Sequence, residues 1–537
     1  MNEKTTYVLP EHVSRILGRE AQRNNILAVK IVSDIVKTTL GPKGMDKMLV
    51  DAAGNITVTN DGVTILEEME LDHPAAKMIV EIAKTQEREV GDGTTTAALL
   101  AGKLLERAES LLDRRIHPTV IVKGYQLAVT YALKTLAELS FPADRREVLY
   151  QTAMTAMTGK GAEGNKGTLS ELTVRAIEQI SSGREVDLTH IKIEKIEGGS
   201  VSDSDLIQGI VLNKERANSE MPSRVENAKI LLVDIPLELR SPESETTISI
   251  SSPEQFESFL EAEERRLKVM SQQIVSSGTN VVFCQKGIDN IAQYYLAKAG
   301  VFACRRISRS DMEKLALATS AKIVSNLHEI SLTDLGMAAL VEEVKQGDDS
   351  LTYIRGCSNP RALTIVLRGG TRHVIDEIER AVRDGLSDVA SVLRSGRVVC
   401  GGGAIEIELS RRLRMFAQTV SGREQLAIEE FAHALEAIPE ALAENAGLDP
   451  IEVVSELKKR HEGGGVREGL NLFTDRIEDM FAAGIVEPLK VKTQAVASAG
   501  EVATMILRID DVLMSKESKN TVPSRASEGK EFDSYSN

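Results

Sequence analysis

Gly91-Asp92-Gly93-Thr94-Thr95-Thr96 runs directly into Ala97-Ala98-Leu99-Leu100-Ala101-Gly102-Lys103-Leu104-Leu105, and fold and chemistry are both read outward from this junction. The second segment is a strong helix start, so the three threonines fall at a helix N-terminus. Free N–H groups and the macrodipole favour an anion there. Glycines let backbone N–H groups come close to phosphates, an Asp can neutralise a divalent metal, and threonine hydroxyls add short donors. A capped helix after a glycine turn, with no ligand, accounts for the same residues.

Upstream, residues 11 to 140 are mostly helical in pattern. Arg23 to Thr39 carries Ile26, Leu27, Val29, Ile31, Val32, Ile35 and Val36, a band wide enough for a buried helix, and Gly41-Pro42-Lys43-Gly44 stops it. Met48-Leu49-Val50-Asp51 and Ile56-Thr57-Val58-Thr59 flank Ala53-Gly54-Asn55 as a hairpin, and Asn60-Asp61-Gly62 is a tight turn after it. Between about 215 and 362 strands alternate with helices, an α/β layer pattern. Its strands are Ala228–Val233, Asn280–Cys284 and Lys322–Val324, with Ala362–Leu367 closing the series. Ser252-Pro253-Glu254-Gln255 starts a helix through a capping box. After Gly401-Gly402-Gly403 long helices return. Pro439 should bend one of them, and Gly447 should end it before Asp449-Pro450. Ser515 to Asn537 is polar and predicts a disordered tail. A helix-rich start and end around an α/β insert predict one domain built from both termini.

Composition narrows the function classes. Aromatic residues are 3% of the 537 and Trp is absent, so the core must be aliphatic. A net charge of −15 argues against a nucleic-acid partner. No apolar run reaches the roughly 20 residues of a membrane span, and the first ten residues lack the apolar core of a secretory signal. Cys284, Cys304, Cys357 and Cys400 form no C-x-x-C pair, which predicts buried free thiols in a reducing cytoplasm rather than zinc or disulfides.

Three Asp residues sit beside glycine in settings that suggest turns: Asp61 in Asn60-Asp61-Gly62, Asp92, and Asp384 in Arg383-Asp384-Gly385. Metal-assisted phosphoryl hydrolysis needs one carboxylate on Mg²⁺ and another to orient or deprotonate the attacking water. Each Asp taken singly is explained as well by a cap or turn, and spacing does not bring the three together. Other motifs occur with them in order: Thr39-Leu40-Gly41-Pro42-Lys43-Gly44-Met45-Asp46-Lys47-Met48, Asn60-Asp61-Gly62-Val63-Thr64-Ile65-Leu66, Gly401-Gly402-Gly403-Ala404 and Val486-Glu487-Pro488-Leu489-Lys490-Val491-Lys492. This ordered set, spread over residues 7 to 514, closely resembles the group II chaperonins, the archaeal thermosome and its eukaryotic cytosolic relatives.

The resemblance implies a multidomain α+β and α/β chain, with a mostly helical equatorial domain from residues 1–145 and 400–514. An intermediate domain would come from 146–214 and 363–399. An apical α/β domain would span 215–362, with a helical protrusion near 237–270 as a built-in lid in place of a separate co-chaperonin. It implies ATP or ADP with Mg²⁺, with K⁺ as a further candidate. Gly41, Pro42, Thr94, Thr95 and Thr96 would hold phosphates, with Leu40, Gly62 and Gly93 completing that part of the nucleotide site. Asp92 would ligate Mg²⁺, Asp61 and Asp384 would activate water, and Lys160 would sense the terminal phosphate. Gly402, Asn471 and Glu487 fall where the family contacts adenosine. Partners would be nonnative proteins and like or paralogous subunits in two stacked rings, in the cytoplasm.

Two departures stand out. The tail is Ser/Lys/Glu-rich instead of Gly/Met-rich, and Gly385 stands where the family usually has Ala, which predicts a helix weakened by about 1 kcal/mol beside Asp384. Both suggest a divergent paralogue, compatible with a mixed ring. A non-catalytic scaffold subunit is the rival, disfavoured because Asp61, Asp92 and Asp384 are all kept. A small-molecule kinase lacks the G-x-x-x-x-G-K-[ST] spacing.

Overall fold

The computed structural model describes residues 13–238, 253–346, 349–357 and 362–515. Helices from both ends of the chain share one aliphatic core. Ile26, Ile79, Leu104 and Tyr125 from the first part pack with Leu409, Phe431 and Ala499 from the last. One of the few ring contacts lies in this core: Tyr125 meets Phe431 edge-on at 5.4 Å, and its hydroxyl donates to the Leu104 carbonyl at 2.7 Å. The two ends also pair as strands, Val13–Leu17 antiparallel to Asp511–Ser515. The Pro439 bend is present: helix Glu424–Leu435 stops, and Ala437–Asn445 begins with Pro439 in its first turn, where a missing N–H costs nothing.

A second cluster joins helices Arg146–Met157, Lys166–Ile180 and Arg372–Ser395 to a three-stranded sheet. Strand Leu363–Gly369 is central there, parallel to Ile191–Glu197 and antiparallel to Asp205–Ile207. The 362–367 segment therefore does not close the α/β series; it belongs to this other sheet. Helix Arg372–Ser395 packs through Ile375, Ile378, Val382, Leu386 and Val389, at intervals of three and four.

The third body is a seven-stranded mixed sheet. Phe302–Cys304, Val281–Cys284 and Arg224–Val233 run parallel, and Ile323–Val324 pairs with the last of these. Gly336–Gln346, Asp349–Cys357 and Gly209–Leu212 complete it antiparallel. Alternate residues of Arg224–Val233 enter different cores, Ile230 and Leu232 on one face and Leu231 and Val233 on the other. That explains its continuous apolar run. Helix Pro253–Ser276 lies on the second face through Leu267 and Ile274. Ser252 of the expected capping box, residues 239–252 of the expected lid and residues 516–537 of the expected tail lie outside the described residues, while Ser515, expected to begin that tail, closes the strand paired with Val13.

All four cysteines are free. Burial pushes the thiols of Cys284 and Cys357 up to about 11 and those of Cys304 and Cys400 up to about 12, so none is a nucleophile at neutral pH. Among the described residues no helix is long and apolar enough to cross a membrane.

Candidate functional site

A cleft of about 210 Å³ opens beside the helical body. Its floor is the N-terminus of helix Thr94–Asp113, whose N-cap Gly93 has φ of 79° and offers no side-chain cap. The first N–H groups of that helix are therefore left for another acceptor. Buried Gln86 fixes the loop before it, donating to the Asp92 carbonyl at 2.9 Å and to the Val491 carbonyl at 3.2 Å. The turn carrying Asp61 lies against the same terminus: a Cβ on Gly62 would fall 2.5 Å from the Thr95 hydroxyl. Only glycine allows that approach. The turn at Leu40-Gly41-Pro42 is held from the far end of the chain, because Asn445 donates to the Leu40 carbonyl at 2.8 Å.

Asp61 is both a cap and a site residue. One carboxylate oxygen accepts from the Thr64 N–H at 2.8 Å and the Thr64 hydroxyl at 2.7 Å, while the residue lines the cleft. Asp384 does not lie on a turn. It sits inside the continuous helix Arg372–Ser395, because the apolar spacing outweighs the neighbouring glycine. A Cβ on Gly385 would meet the Met157 methyl at 2.7 Å, so the glycine serves close packing between two helices.

From this helix Asp384 reaches the cleft through Lys160, with which it forms an ion pair; Lys160 also lies 3.6 Å from Asp92. Two loops and a helix, distant in sequence, thus meet at one ammonium. Burial and the nearby charges of Asp92 and Asp61 push the Asp384 carboxyl up to about 7 against the pull of Lys160. Burial works against the charge on Lys160, but Asp384, Asp92 and Asp61 outweigh it and raise its pKa. A carboxyl near 7 is poised to exchange a proton at neutral pH.

Of the residues singled out from sequence, Leu40, Gly41, Pro42, Asp61, Gly62, Asp92, Gly93, Thr94, Thr95, Thr96, Lys160, Gly402 and Glu487 line the cleft. Asn471 does not. Its side-chain oxygen accepts from the Phe473 N–H at 3.0 Å and its amide donates to Glu478, so it shapes the turn that presents Phe473. Residues missed from sequence include an apolar wall of Ile438, Leu442, Leu472 and Phe473. Lys492 was missed as well, pairing with Glu487 at 2.7 Å and Glu406 at 2.9 Å. Asp388 is buried, with one carboxyl oxygen lacking any partner. Its signal was present: it stands one helical turn after Asp384, on the same face.

The family model of the TCP-1/cpn60 chaperonins matches residues 32–517. This chain belongs to the TCP-1/cpn60 chaperonin family. A thermosome subunit of Methanopyrus kandleri is 54% identical over 516 residues, covering 95% of each chain. Thermosome subunit beta of Archaeoglobus fulgidus is 55% identical over 515, covering 95% of this chain and 94% of its own. The open-state monomer of a group II chaperonin from Methanococcoides burtonii superposes with a TM-score of 0.60 at 45% identity, over 78% of this chain and all of that one. The protein is a chaperonin subunit, an ATP-dependent chaperone of the group II kind.

The donor set fits a nucleotide-bound Mg²⁺. Among the described residues no three His, Cys, Asp or Glu side chains form a closed metal cage in this chaperonin. A magnesium held by one or two carboxylates together with phosphates and water needs none. Asp92, beside the uncapped helix N-terminus, offers one such carboxylate.

Proposed function

We propose that the cleft binds and hydrolyses Mg·ATP, and that hydrolysis drives closure of a folding chamber around nonnative protein. The observation that carries it is the meeting of Asp384, Lys160 and Asp92 at the cleft, since Asp384 comes from a helix outside the helical body. In this reading the N-terminus of Thr94–Asp113 and the Gly41-Pro42 turn hold the phosphates, with Leu40, Gly62 and Gly93 giving the backbone room. Asp92 ligates Mg²⁺, which would neutralise phosphate charge; K⁺ is the candidate for a second cation. Asp61 orients the attacking water and Asp384 takes its proton. Lys160, drawn between Asp92 and Asp384, answers to the terminal phosphate. The base lies against the apolar wall, near Gly402 and Glu487, with Asn471 acting through the turn it holds.

The three packed clusters support a division into equatorial (1–145, 400–514), intermediate (146–214, 363–399) and apical (215–362) domains. Hydrolysis is then fast only while the intermediate domain holds Asp384 over the cleft. The assembly is two stacked rings of like or paralogous subunits, lidded by the segment near 237–270 and working in the cytoplasm. ATP does no chemistry on the client; its differing affinity for open and closed states shifts the balance.

Calorimetry of Asp92→Ala with ATP, with and without Mg²⁺, tests the site: the metal-dependent part of the affinity should vanish. Equal metal dependence in parent and variant would remove Asp92 as ligand. Electron microscopy of the purified chain with and without Mg·ATP tests the rings and the lid.

A further inference from the structure

Lys160 lies on a short segment, Thr158 to Lys166, whose residues Thr158, Gly159 and Lys160 line the cleft and which is braced internally by one carboxylate. Glu163 accepts from the Gly159 N–H at 2.9 Å with one oxygen and holds the Lys166 ammonium at 2.5 Å with the other. Besides the approach of Lys160 to Asp92, two contacts fasten this unit to the helical body. The Asn60 amide donates to the Gly159 carbonyl at 2.8 Å, beside Asp61. On the opposite side the Lys166 ammonium stands 4.5 Å above the centroid of the Phe473 ring, a cation–π distance. Phe473 lines the cleft yet stays 58% exposed, an unusual setting for a large aromatic in a chain with so few. Asn471 and the pairing of Lys43 with Asp475 at 2.7 Å hold its turn in place.

We propose that Lys166 and Phe473 form a latch across the cleft mouth that positions Lys160 for hydrolysis, so that Lys166 is a positioning residue which touches no reacting atom. The inference rests on the nucleotide reading of the cleft. The ring presents one face to Lys166 and belongs to the wall on which the base would rest. Occupancy of the cleft therefore bears on the same side chain that anchors the loop. Loss of the latch should leave the phosphate cradle intact but let Lys160 drift from Asp384 and Asp92.

The chain contains no tryptophan, so Phe473→Trp installs a single tryptophan at the latch. In that variant Mg·ATP should shift the emission, and adding Lys166→Ala should change the size of the shift while Lys166→Arg preserves it. In the otherwise native chain, Lys166→Ala should lower kcat about two- to fivefold, the size of one exposed cation–π contact. Its KM, its number of nucleotide sites by calorimetry and its melting temperature should stay near the parent's, and Lys166→Arg should restore kcat. A parent chain that binds Mg·ATP, together with identical emission shifts with and without Lys166 or an unchanged kcat in Lys166→Ala, would overturn the latch alone. A parent chain that binds no Mg·ATP would overturn the nucleotide reading and the latch with it.

Discussion

Two groups of buried carboxylates in this molecule carry opposite electrostatic characters. Glu408, with a fully buried side chain, meets Arg411 at 2.7 Å, Arg412 at 2.8 Å and His461 at 3.2 Å. Glu436 pairs with Lys458 at 2.7 Å and with Arg414. Burial alone would raise both carboxyls, yet their hydrogen-bonded cations hold each at about 2. At the cleft the balance is reversed. Asp61, Asp92, Asp384 and Asp388 crowd around Lys160, and burial with mutual repulsion lifts Asp384 to about 7 and Asp388 well above the usual carboxylate range. The first group has all its charge matched and serves the fold. The second lacks positive charge, which is what the proposed Mg²⁺ would supply.

Removing a partner from the matched group should give the largest effect. Glu408→Gln leaves two guanidinium groups facing a neutral amide and should cost about 3 kcal/mol in denaturant unfolding. The sign with pH follows from a folded pKa of about 2 against an ordinary value of 4.5. The stabilisation is present above the ordinary value and is lost as pH falls towards the folded one. The gap between parent and variant should therefore narrow between pH 5 and about 2. A constant gap over that range would mean the cations are not what lowers Glu408.

At the unmatched group the same kind of change should strike turnover instead. Asp384→Ala should slow ATP hydrolysis at least about 100-fold while Mg·ATP still binds. In the parent, hydrolysis should rise with pH as Asp384 loses its proton near 7. Unaltered turnover in the variant would exclude Asp384 as the base.

How much of this contrast could be read from the chain depends on distance along it. The floor of the cleft was legible as a turn and helix start because its parts are adjacent: glycine turn, carboxylate and threonines are followed at once by an apolar helix start. The turn at Gly41-Pro42 and the hairpin Lys47–Val50 with Ile56–Thr59 were legible for the same reason. Lys160 and Asp384, 224 positions apart, were assigned to one site only through family resemblance, and their ion pair was not foreseen, since no local pattern encodes it. Asp384 was misplaced onto a turn because a neighbouring glycine looks like punctuation; in space that glycine is a packing contact. Strands Gly336–Gln346 and Asp349–Cys357 escaped notice because charged residues interrupt their apolar pattern. Phe473 carried no motif of its own, and Lys492, though inside the Val486–Lys492 motif, gave no sign of its ion pairs with Glu406 and Glu487.

Asp388→Asn sharpens the contrast from the stabilising side. Burial keeps the proton on the folded carboxyl to higher pH than in the unfolded chain, so its contribution declines as pH rises above the ordinary value of 3.8. Asn removes that decline. The variant should be at least about 1 kcal/mol more stable than the parent at pH 7, with a gap that widens from pH 4 upward. A loss of stability with the gap unchanged by pH would show that the carboxylate is ionised and paired.

The smallest expected effect lies between the two elements that bring Asp384 and Lys160 together. Gly385→Ala should gain about 1 kcal/mol of helix propensity. The new methyl would stand 2.7 Å from the Met157 methyl, the end of a flexible side chain that can turn aside at some cost. The two terms nearly cancel, so unfolding stability should stay within about 1 kcal/mol of the parent. Turnover is the finer gauge: helix Arg146–Met157 leads directly into Thr158 and Lys160, so any parting of the helices moves Lys160 relative to Asp384. A melting temperature held constant with a reduced kcat would locate the role of Gly385 in registering the two charges. A rise in stability by the full helix propensity, with kcat unchanged, would show that Met157 yields freely and that the glycine is dispensable.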